Sequence, residues 1–232
     1  MIVQTQRGTI PARQEQAVAA CALLVLLNSL AMVVGLTPVG WLAGAAYGVT
    51  LWGLLAGALR RAGHYALGPA DRVTLARATL VGGVVALVVA GVSGPVLVLL
   101  AGVALALDAV DGRVARRTGT VSPLGARFDM EVDAFLILVL CVPAAVALGP
   151  WVLLIGAMRY VFAAAGWAAP WLRGPLAPNL ARRAIAAAQG IALVVVVAGV
   201  LPRPAATVVA AGALAALVWS FGRDVVALWR NR

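Results

Sequence analysis

The chain has 232 residues, of which 63% are hydrophobic and only 11% are charged, with a mean hydropathy of +1.02. Soluble domains are nearer about 45–50% apolar and about 25% charged, so this composition excludes a water-soluble globular protein and indicates an integral membrane protein. All 18 basic residues are arginine, and with eight acidic residues they give a net charge of +10. In a membrane protein this excess points to the positive-inside rule rather than to nucleic-acid binding.

Eight continuous apolar runs follow one another along the chain. They lie at about 17–36, 39–59, 73–92, 94–110, 130–148, 150–169, 184–201 and 204–222. A helix that crosses a bilayer needs about 17–25 such residues, and runs without alternation predict helices rather than the strands of a membrane barrel. The sequence therefore predicts an all-α, polytopic membrane helix bundle with about eight transmembrane helices.

The arginines between the runs are concentrated in every second connection. They occupy both termini and the connections after the second, fourth and sixth runs, whereas the connections near residues 37, 93 and 149 carry no charge and the one at 201–204 carries only Arg203. Basic connections stay in the cytoplasm. Both termini are therefore expected to be cytoplasmic, with the protein in the plasma (inner) membrane.

The first two runs have a different character from the rest of the chain. In the second run Gly40, Gly44 and Gly48 recur every four residues, a stripe typical of close helix packing in lipid. Polar residues suited to chemistry appear only after Arg60. We therefore expect residues 1–69 to form an appended helix pair with a juxtamembrane segment, part of which lies along the membrane surface, and residues 70–232 to form the functional core.

Five of the eight acidic residues lie between Asp108 and Asp133, around the connection after the fourth run. Asp108 and Asp111 are three residues apart, and Asp129 and Asp133 are four apart, so each pair would share one face of a helix. Carboxylates near a bilayer are costly, and a group of like charges repels itself. The cluster therefore needs a positive partner.

Two kinds of positive partner suit these four carboxylates. Oxygen donors without histidine or cysteine favour a hard cation, Mg²⁺ or Mn²⁺. Salt bridges to nearby arginines are the alternative, which explains a mixed surface loop but not the helical phasing of the acids. The small residues Gly112 and Ala115 would let a bulky ligand approach the helix, Arg116 can bind a phosphate, and Gly125 would keep space clear beside the site. Metal and arginine together indicate a phosphoryl or pyrophosphate substrate.

The spacing of these residues resembles the signature of the CDP-alcohol phosphotransferase (CDP-alcohol phosphatidyltransferase) family at every fixed position. The matching string is Asp108-x2-Asp111-Gly112-x2-Ala115-Arg116-x8-Gly125-x3-Asp129-x3-Asp133. A secondary motif before the third run matches at Thr74 and Arg77, whereas Asp71 stands where the family often has asparagine. The resemblance covers about residues 70–222, which makes residues 70–232 a catalytic core of six helices and the first two runs extra.

The resemblance implies an activity in phospholipid synthesis. Such enzymes bind a CDP-linked lipid such as CDP-diacylglycerol, transfer its substituted phosphate to an alcohol, release CMP and look like homodimers. It implies two divalent ions, Mg²⁺ or Mn²⁺, on Asp108, Asp111, Asp129 and Asp133, with Asp133 also the general base. It implies nucleotide contacts at Asp108, Gly112, Ala115, Arg116, Gly125, Thr74 and Arg77.

Three other arginines are candidate contacts for the acceptor alcohol. Arg159 lies mid-run, where a charge is expensive, and Arg182 and Arg183 begin the seventh run. A basic pocket would favour an acceptor that already carries phosphate, such as inositol phosphate or glycerol phosphate, although neutral inositol or serine stays open. Arg159 has the alternative role of neutralising the acidic cluster.

Two other functions remain open from the sequence. A membrane prenyltransferase acting on a prenyl diphosphate also uses helix-borne aspartates and Mg²⁺, but its aspartate motifs normally lie far apart in sequence. A cation- or proton-coupled transporter would have acids spread over several spans, whereas the first, second and sixth to eighth runs as bounded above contain none.

Overall fold

The computed structural model describes residues 12–63, 67–118, 122–174 and 180–230, without the side chains of residues 111, 113–118, 173 and 180. Within these ranges the protein is all helical and contains no strand, which confirms the predicted fold class. The eight α-helices of the described ranges are α1 Ala12–Val34, α2 Pro38–Ala62, α3 Pro69–Val89, α4 Pro95–Thr118, α5 Pro123–Leu148, α6 Leu153–Ala168, α7 Leu180–Val197 and α8 Arg203–Arg230. Short 3₁₀ turns at Pro150–Val152 and Pro170–Arg173 flank α6.

Six of the described helices are long and apolar enough to cross a bilayer, which makes the chain a multi-pass membrane protein. They are α1, α2, α3, α5, α8 and α6 taken together with the 3₁₀ turn before it. The apolar part of α4, Pro95–Val110, is shorter because the helix continues into its polar end. The eight predicted runs thus correspond to eight helices, while eight crossings and the sides of the termini stay predictions.

Prolines and glycines fix several of the helix ends. Proline, whose φ angle is already helical and whose missing N–H is not needed in a first turn, begins α2, α3, α4 and α5. Gly63 ends α2 in the left-handed conformation, at φ +67°, and its N–H donates to the Arg60 carbonyl.

These ends change the prediction for the segment between α2 and α3. The segment expected along the membrane surface runs from Arg60 to Arg72. Residues 60–62 complete α2, and residues 69–72 form the first turn of α3, so both ends of that segment belong to long helices. The physical reason is the pair of end signals, Gly63 and Pro69, which the apolar pattern alone does not reveal. Residues 64–66 lie outside the described part.

The chain divides into two compact units, the first made of residues 1–92 and 106–133. In this unit α3 packs against both α1 and α2, and 67% of its apolar stretch is buried, compared with 22–28% for the other candidate spans. A Cβ atom on Gly44 would lie 2.7 Å from Leu27 Cδ2 and 3.0 Å from the Gly82 carbonyl oxygen. The glycine stripe therefore serves helix packing within the chain, as predicted.

The second unit consists of residues 93–105 and 134–232. Here α8 packs against α6 and α7, and Leu105 and Ile137 pack beside Gly190 of α7. Two edge-to-face aromatic pairs, Phe162 with Phe221 and Trp171 with Trp229, link α8 to α6 and to the 3₁₀ turn that follows it.

Candidate metal centre

Three of the four predicted metal ligands come together in the first unit. Asp108 lies in α4, and Asp129 and Asp133 lie one turn apart near the start of α5. One carboxylate oxygen from each lies within 4.8 Å of the others. The i, i+4 spacing that predicted a shared helix face thus places both α5 acids toward Asp108. Asp111 also lies in α4, but its side chain is outside the described part.

Arg77 of α3 is one positive partner of the acidic cluster. Its side chain is fully buried, and its Nη1 donates to Asp108 Oδ1 at 2.6 Å. Nη2 donates to the carboxylate of Asp129, and to its backbone carbonyl at 3.2 Å. Nη2 also lies 3.2 Å from Asp133 Oδ1. Arg77 was expected to contact the nucleotide, whereas the contacts described here are with the carboxylates.

The burial of these side chains differs between the arginine and the acids. Arg77 has no exposed surface, whereas the side chains of Asp108, Asp129 and Asp133 are 39%, 35% and 37% exposed. A carboxylate has about four lone-pair directions, so the contact with Arg77 does not use the full acceptor capacity of any of the three acids. The arginine therefore lies on the closed side of the cluster, and the acids keep an open side for a ligand.

This donor set fits a divalent metal ion. The three described aspartates carry three negative charges and Arg77 one positive charge, which leaves a net charge of −2 (−3 + 1). The charge of Arg77 alone is therefore smaller than that of the three acids, and a divalent cation would offset the difference. Oxygen-only ligands on the open side suit Mg²⁺ or Mn²⁺.

Gly125, at the start of α5, makes room for a side chain from α3. A Cβ atom at this position would lie 2.1 Å from Asp71 Oδ1, while Asp71 Oδ2 accepts a hydrogen bond from the Gly68 backbone N–H at 3.0 Å. Asp71 is thus a cap for α3 that reaches α5. The space we expected beside Gly125 is taken by this carboxylate, a contact that sequence spacing does not reveal.

The remaining predicted nucleotide contacts are described only in part. The buried Thr74 hydroxyl donates to the Ala70 carbonyl at 3.3 Å within its own helix. Gly112 is half-buried in α4. The side chains of Ala115 and Arg116 are outside the described part, although their backbone continues α4.

A comparison with protein-family models gives a match to CDP-alcohol phosphatidyltransferase over residues 68–221, more than half of the chain. The chain belongs to the CDP-alcohol phosphatidyltransferase family. Searches of curated proteins and of solved structures gave no match. The family match includes α3, α4 and the start of α5, which carry the acidic cluster, and it begins after α1 and α2. Membership favours a CDP-alcohol phosphotransferase over the prenyltransferase and transporter alternatives.

The three candidate acceptor contacts of this CDP-alcohol phosphatidyltransferase family member lie in the second unit. Arg159 is half-buried in α6, and Arg183 is exposed in α7. Arg182 is held by Asp224 of α8, with Nη2 2.9 Å from Oδ1 and Nε 2.9 Å from Oδ2. The Nη2 contact is a hydrogen bond, whereas the Nε contact is an ion pair without hydrogen-bond alignment.

Two acids outside the family signature lie in helices whose apolar runs contain no acid. Asp224 is only 7% exposed in α8, and Glu15 lies in the first turn of α1. Both helices are longer than the apolar runs that predicted them, α8 extending to Arg230 and α1 beginning at Ala12. The first and eighth spans therefore do carry an acid each, at their polar ends.

Proposed function

We propose that this protein transfers a phosphatidyl group from a CDP-linked lipid, such as CDP-diacylglycerol, to an alcohol acceptor and releases CMP. The observation that carries the proposal is the cluster of Asp108, Asp129 and Asp133, buried against Arg77 on one side and open on the other, within the stretch that matches the family. A reaction at a pyrophosphate needs such a concentration of oxygen ligands beside space for a substrate.

The four aspartates of the signature have two proposed roles. Asp108, Asp111, Asp129 and Asp133 would hold two divalent ions, Mg²⁺ or Mn²⁺, which when bound supply positive charge to the pyrophosphate oxygens. Asp133 would accept the proton of the acceptor hydroxyl. That oxygen then bonds to the β-phosphorus, the bond from this phosphorus to the bridging oxygen breaks, and CMP leaves with the electron pair. Gly112, Ala115 and Arg116 would line the nucleotide and pyrophosphate site.

The acceptor is proposed to be an alcohol that carries phosphate, such as inositol phosphate or glycerol phosphate, with Arg159, Arg182 and Arg183 as its contacts. Arg159 supports this role because a guanidinium within a membrane helix is energetically costly, and charged residues retained there mark functional sites. We further propose a homodimer in the plasma membrane with the active site on the cytoplasmic side, which the distribution of the arginines supports.

A CMP-release assay with purified protein, CDP-diacylglycerol and a panel of alcohols tests the reaction. Wild-type protein should release CMP only when a suitable alcohol is present. Asp133→Asn should lower turnover by about 10²–10⁴-fold, because general-base catalysis typically contributes that factor. Glu131→Gln, at an exposed position between the two α5 ligands, is the matched control and should retain activity. Full turnover by Asp133→Asn would remove this residue as the base.

The metal dependence is tested in two ways, by CMP release and by a measurement that needs no substrate. EDTA should stop CMP release, and Mg²⁺ or Mn²⁺ should restore it. The same ions should also raise the midpoint of thermal unfolding of the purified protein, because a ligand that binds only the folded state stabilises it. Turnover in the presence of EDTA would contradict the two-ion proposal.

The acceptor proposal is tested by Arg159→Ala. Loss of a contact that binds the acceptor in its ground state should raise KM for a phosphorylated alcohol and leave KM for the CDP-linked lipid unchanged. KM values for each substrate, measured with the other saturating, separate these outcomes. An unchanged acceptor KM would make Arg159 a structural residue.

A further inference from the structure

Glu15, in the first turn of α1, carries a carboxylate that is shielded from water. Its side chain is 9% exposed, and its Oε1 lies 2.6 Å from Arg72 Nε at the start of α3. Neither carboxylate oxygen has a hydrogen-bond partner among the described residues, so the contact is an ion pair without hydrogen-bond alignment. A buried carboxylate is costly without a counter-ion. The ion pair between Glu15 and Arg72 therefore links α1 to the start of α3.

Arg72 adjoins the residue that connects α3 to α5. Its neighbour Asp71 accepts from the Gly68 N–H and places its other oxygen against Gly125 of α5. The backbone N–H of Arg72 donates to the Gly68 carbonyl at 3.1 Å. The first turn of α3 therefore contacts Glu15 of α1 through Arg72, and it contacts α5 through Asp71.

An apolar cluster joins the same helices beside this polar contact. Its buried members come from α1, α2, α3 and the residue before the α3 cap: Ala12, Ala19, Leu55, Leu59, Leu67 and Leu75. Leu124 and Phe128 of α5 pack against it. Phe128 directly precedes Asp129, which contacts Arg77. The helix pair outside the family match therefore belongs to an apolar cluster against which residues at the start of α5 pack.

We propose that Glu15 is a positioning residue for the metal centre, acting through Arg72 and Asp71 on the placement of Asp129 and Asp133. The proposal rests on the proposed metal-dependent transfer. Arg77 lies on α3 and two of its acidic partners lie on α5, so the distance between the first turns of these helices sets the geometry of the cluster. Catalytic groups tolerate little displacement, and about 1 Å can cost about 100-fold in rate. The N-terminal pair thus serves as a fixed support for a site it does not enter.

The experiment compares Glu15→Gln with Arg13→Gln, a variant that removes a charge from an exposed position two residues earlier on the same helix. Mn²⁺ binding to each purified full-length protein is measured without substrate, from the free Mn²⁺ signal in electron paramagnetic resonance. Glu15→Gln should weaken Mn²⁺ binding at least fivefold and lower kcat at saturating Mn²⁺, while Arg13→Gln binds Mn²⁺ as the wild type does.

A double-mutant cycle with Arg72→Gln shows whether the two residues act as one contact. Arg72→Gln should also weaken Mn²⁺ binding, and the double variant should bind no more weakly than the worse single variant, because paired residues are non-additive. Wild-type Mn²⁺ binding in Glu15→Gln would overturn the proposal, even with a lower unfolding midpoint, because that result would make the contact purely structural. Absence of Mn²⁺ binding in the wild type would instead overturn the metal centre, and this proposal with it.

Discussion

Arg77 links the three described carboxylates through a single guanidinium group. Three acids within 4.8 Å would repel one another, and the buried arginine offsets part of that repulsion from the closed side. The planar guanidinium can donate in two directions at once, to Asp108 and to Asp129, which an ammonium group on a flexible stem does less well. Geometry as well as charge therefore makes this position depend on arginine.

Replacing Arg77 by lysine should lower both stability and Mg²⁺-dependent CMP release. Lysine keeps the charge but loses the fork, so at least one aspartate contact is expected to break. Removing one partner of a buried ion pair costs roughly 3–5 kcal/mol, and the one-third exposure of the acids reduces that cost. The midpoint of thermal unfolding in detergent measures the effect.

Arg127→Gln, an exposed position in the same α5 turn region, is the control and should unfold at the wild-type temperature. An Arg77→Lys protein with wild-type unfolding and turnover would show that the three contacts do not matter.

The sequence predicted the grouping of the aspartates better than their contacts with Arg77. Helical phasing was enough to group Asp129 with Asp133, because spacing along one helix fixes which side chains share a face. Nothing in the spacing shows that Arg77 meets Asp108 and Asp129, residues 31 and 52 positions further along the chain. Only the packing of α3 against α4 and α5 brings them together. The Asp71 contact with Gly125 is hidden for the same reason.

At the scale of single helices, α2 has two faces that differ in what surrounds their glycines. On one face a Cβ atom on Gly40 would lie 2.5 Å from the Ala86 carbonyl oxygen and 2.8 Å from Ala90 Cβ. Gly53 lies on the same helix, but a Cβ atom on it would have no described heavy atom of another part of the chain within 4 Å. The glycines of one helix thus have different structural roles.

Gly40→Ala and Gly53→Ala should therefore have opposite effects. Alanine at position 40 would force α2 away from α3, and overpacking of this kind typically costs about 1–3 kcal/mol. Alanine at position 53 meets no neighbour and should stabilise the helix by up to about 1 kcal/mol. The thermal unfolding midpoints of the two variants measure the difference. Equal midpoints would contradict close packing of α2 on α3.

At the scale of the molecule, hydropathy predicted the fold class because lipid requires each crossing segment to satisfy its own backbone hydrogen bonds. The apolar pattern did not give the polar ends of α1 and α8, because charged residues there lie beyond the apolar core and still continue the helix. Glu15 and Asp224 were missed for this reason. The helices α2 and α3 extend beyond the apolar runs at 39–59 and 73–92, because their ends depend on Gly63 and Pro69.

The arginine distribution makes a prediction about sidedness that cysteine labelling can check. In a background with Cys21→Ser and Cys141→Ala, a cysteine at the exposed Ser93 should react with a membrane-impermeant maleimide added outside intact cells. A cysteine at the exposed Ala62, next to Arg60 and Arg61, should react only after the membrane is opened. The reverse pattern would place both termini outside.

The enclosure of α3 by α1 and α2 has a consequence for how the protein is made. Arg77 leaves the ribosome 31 residues before Asp108, the first of its acidic partners, which at about 5–20 residues per second is roughly 2–6 s. During that time Arg77 lacks these counter-ions, and an arginine within a bilayer costs up to about 2.5–3.5 kcal/mol, depending on its depth. The helices α1 and α2, which pack against α3, are already synthesised by then. Helix α3 can therefore pack against protein before its acidic partners are synthesised.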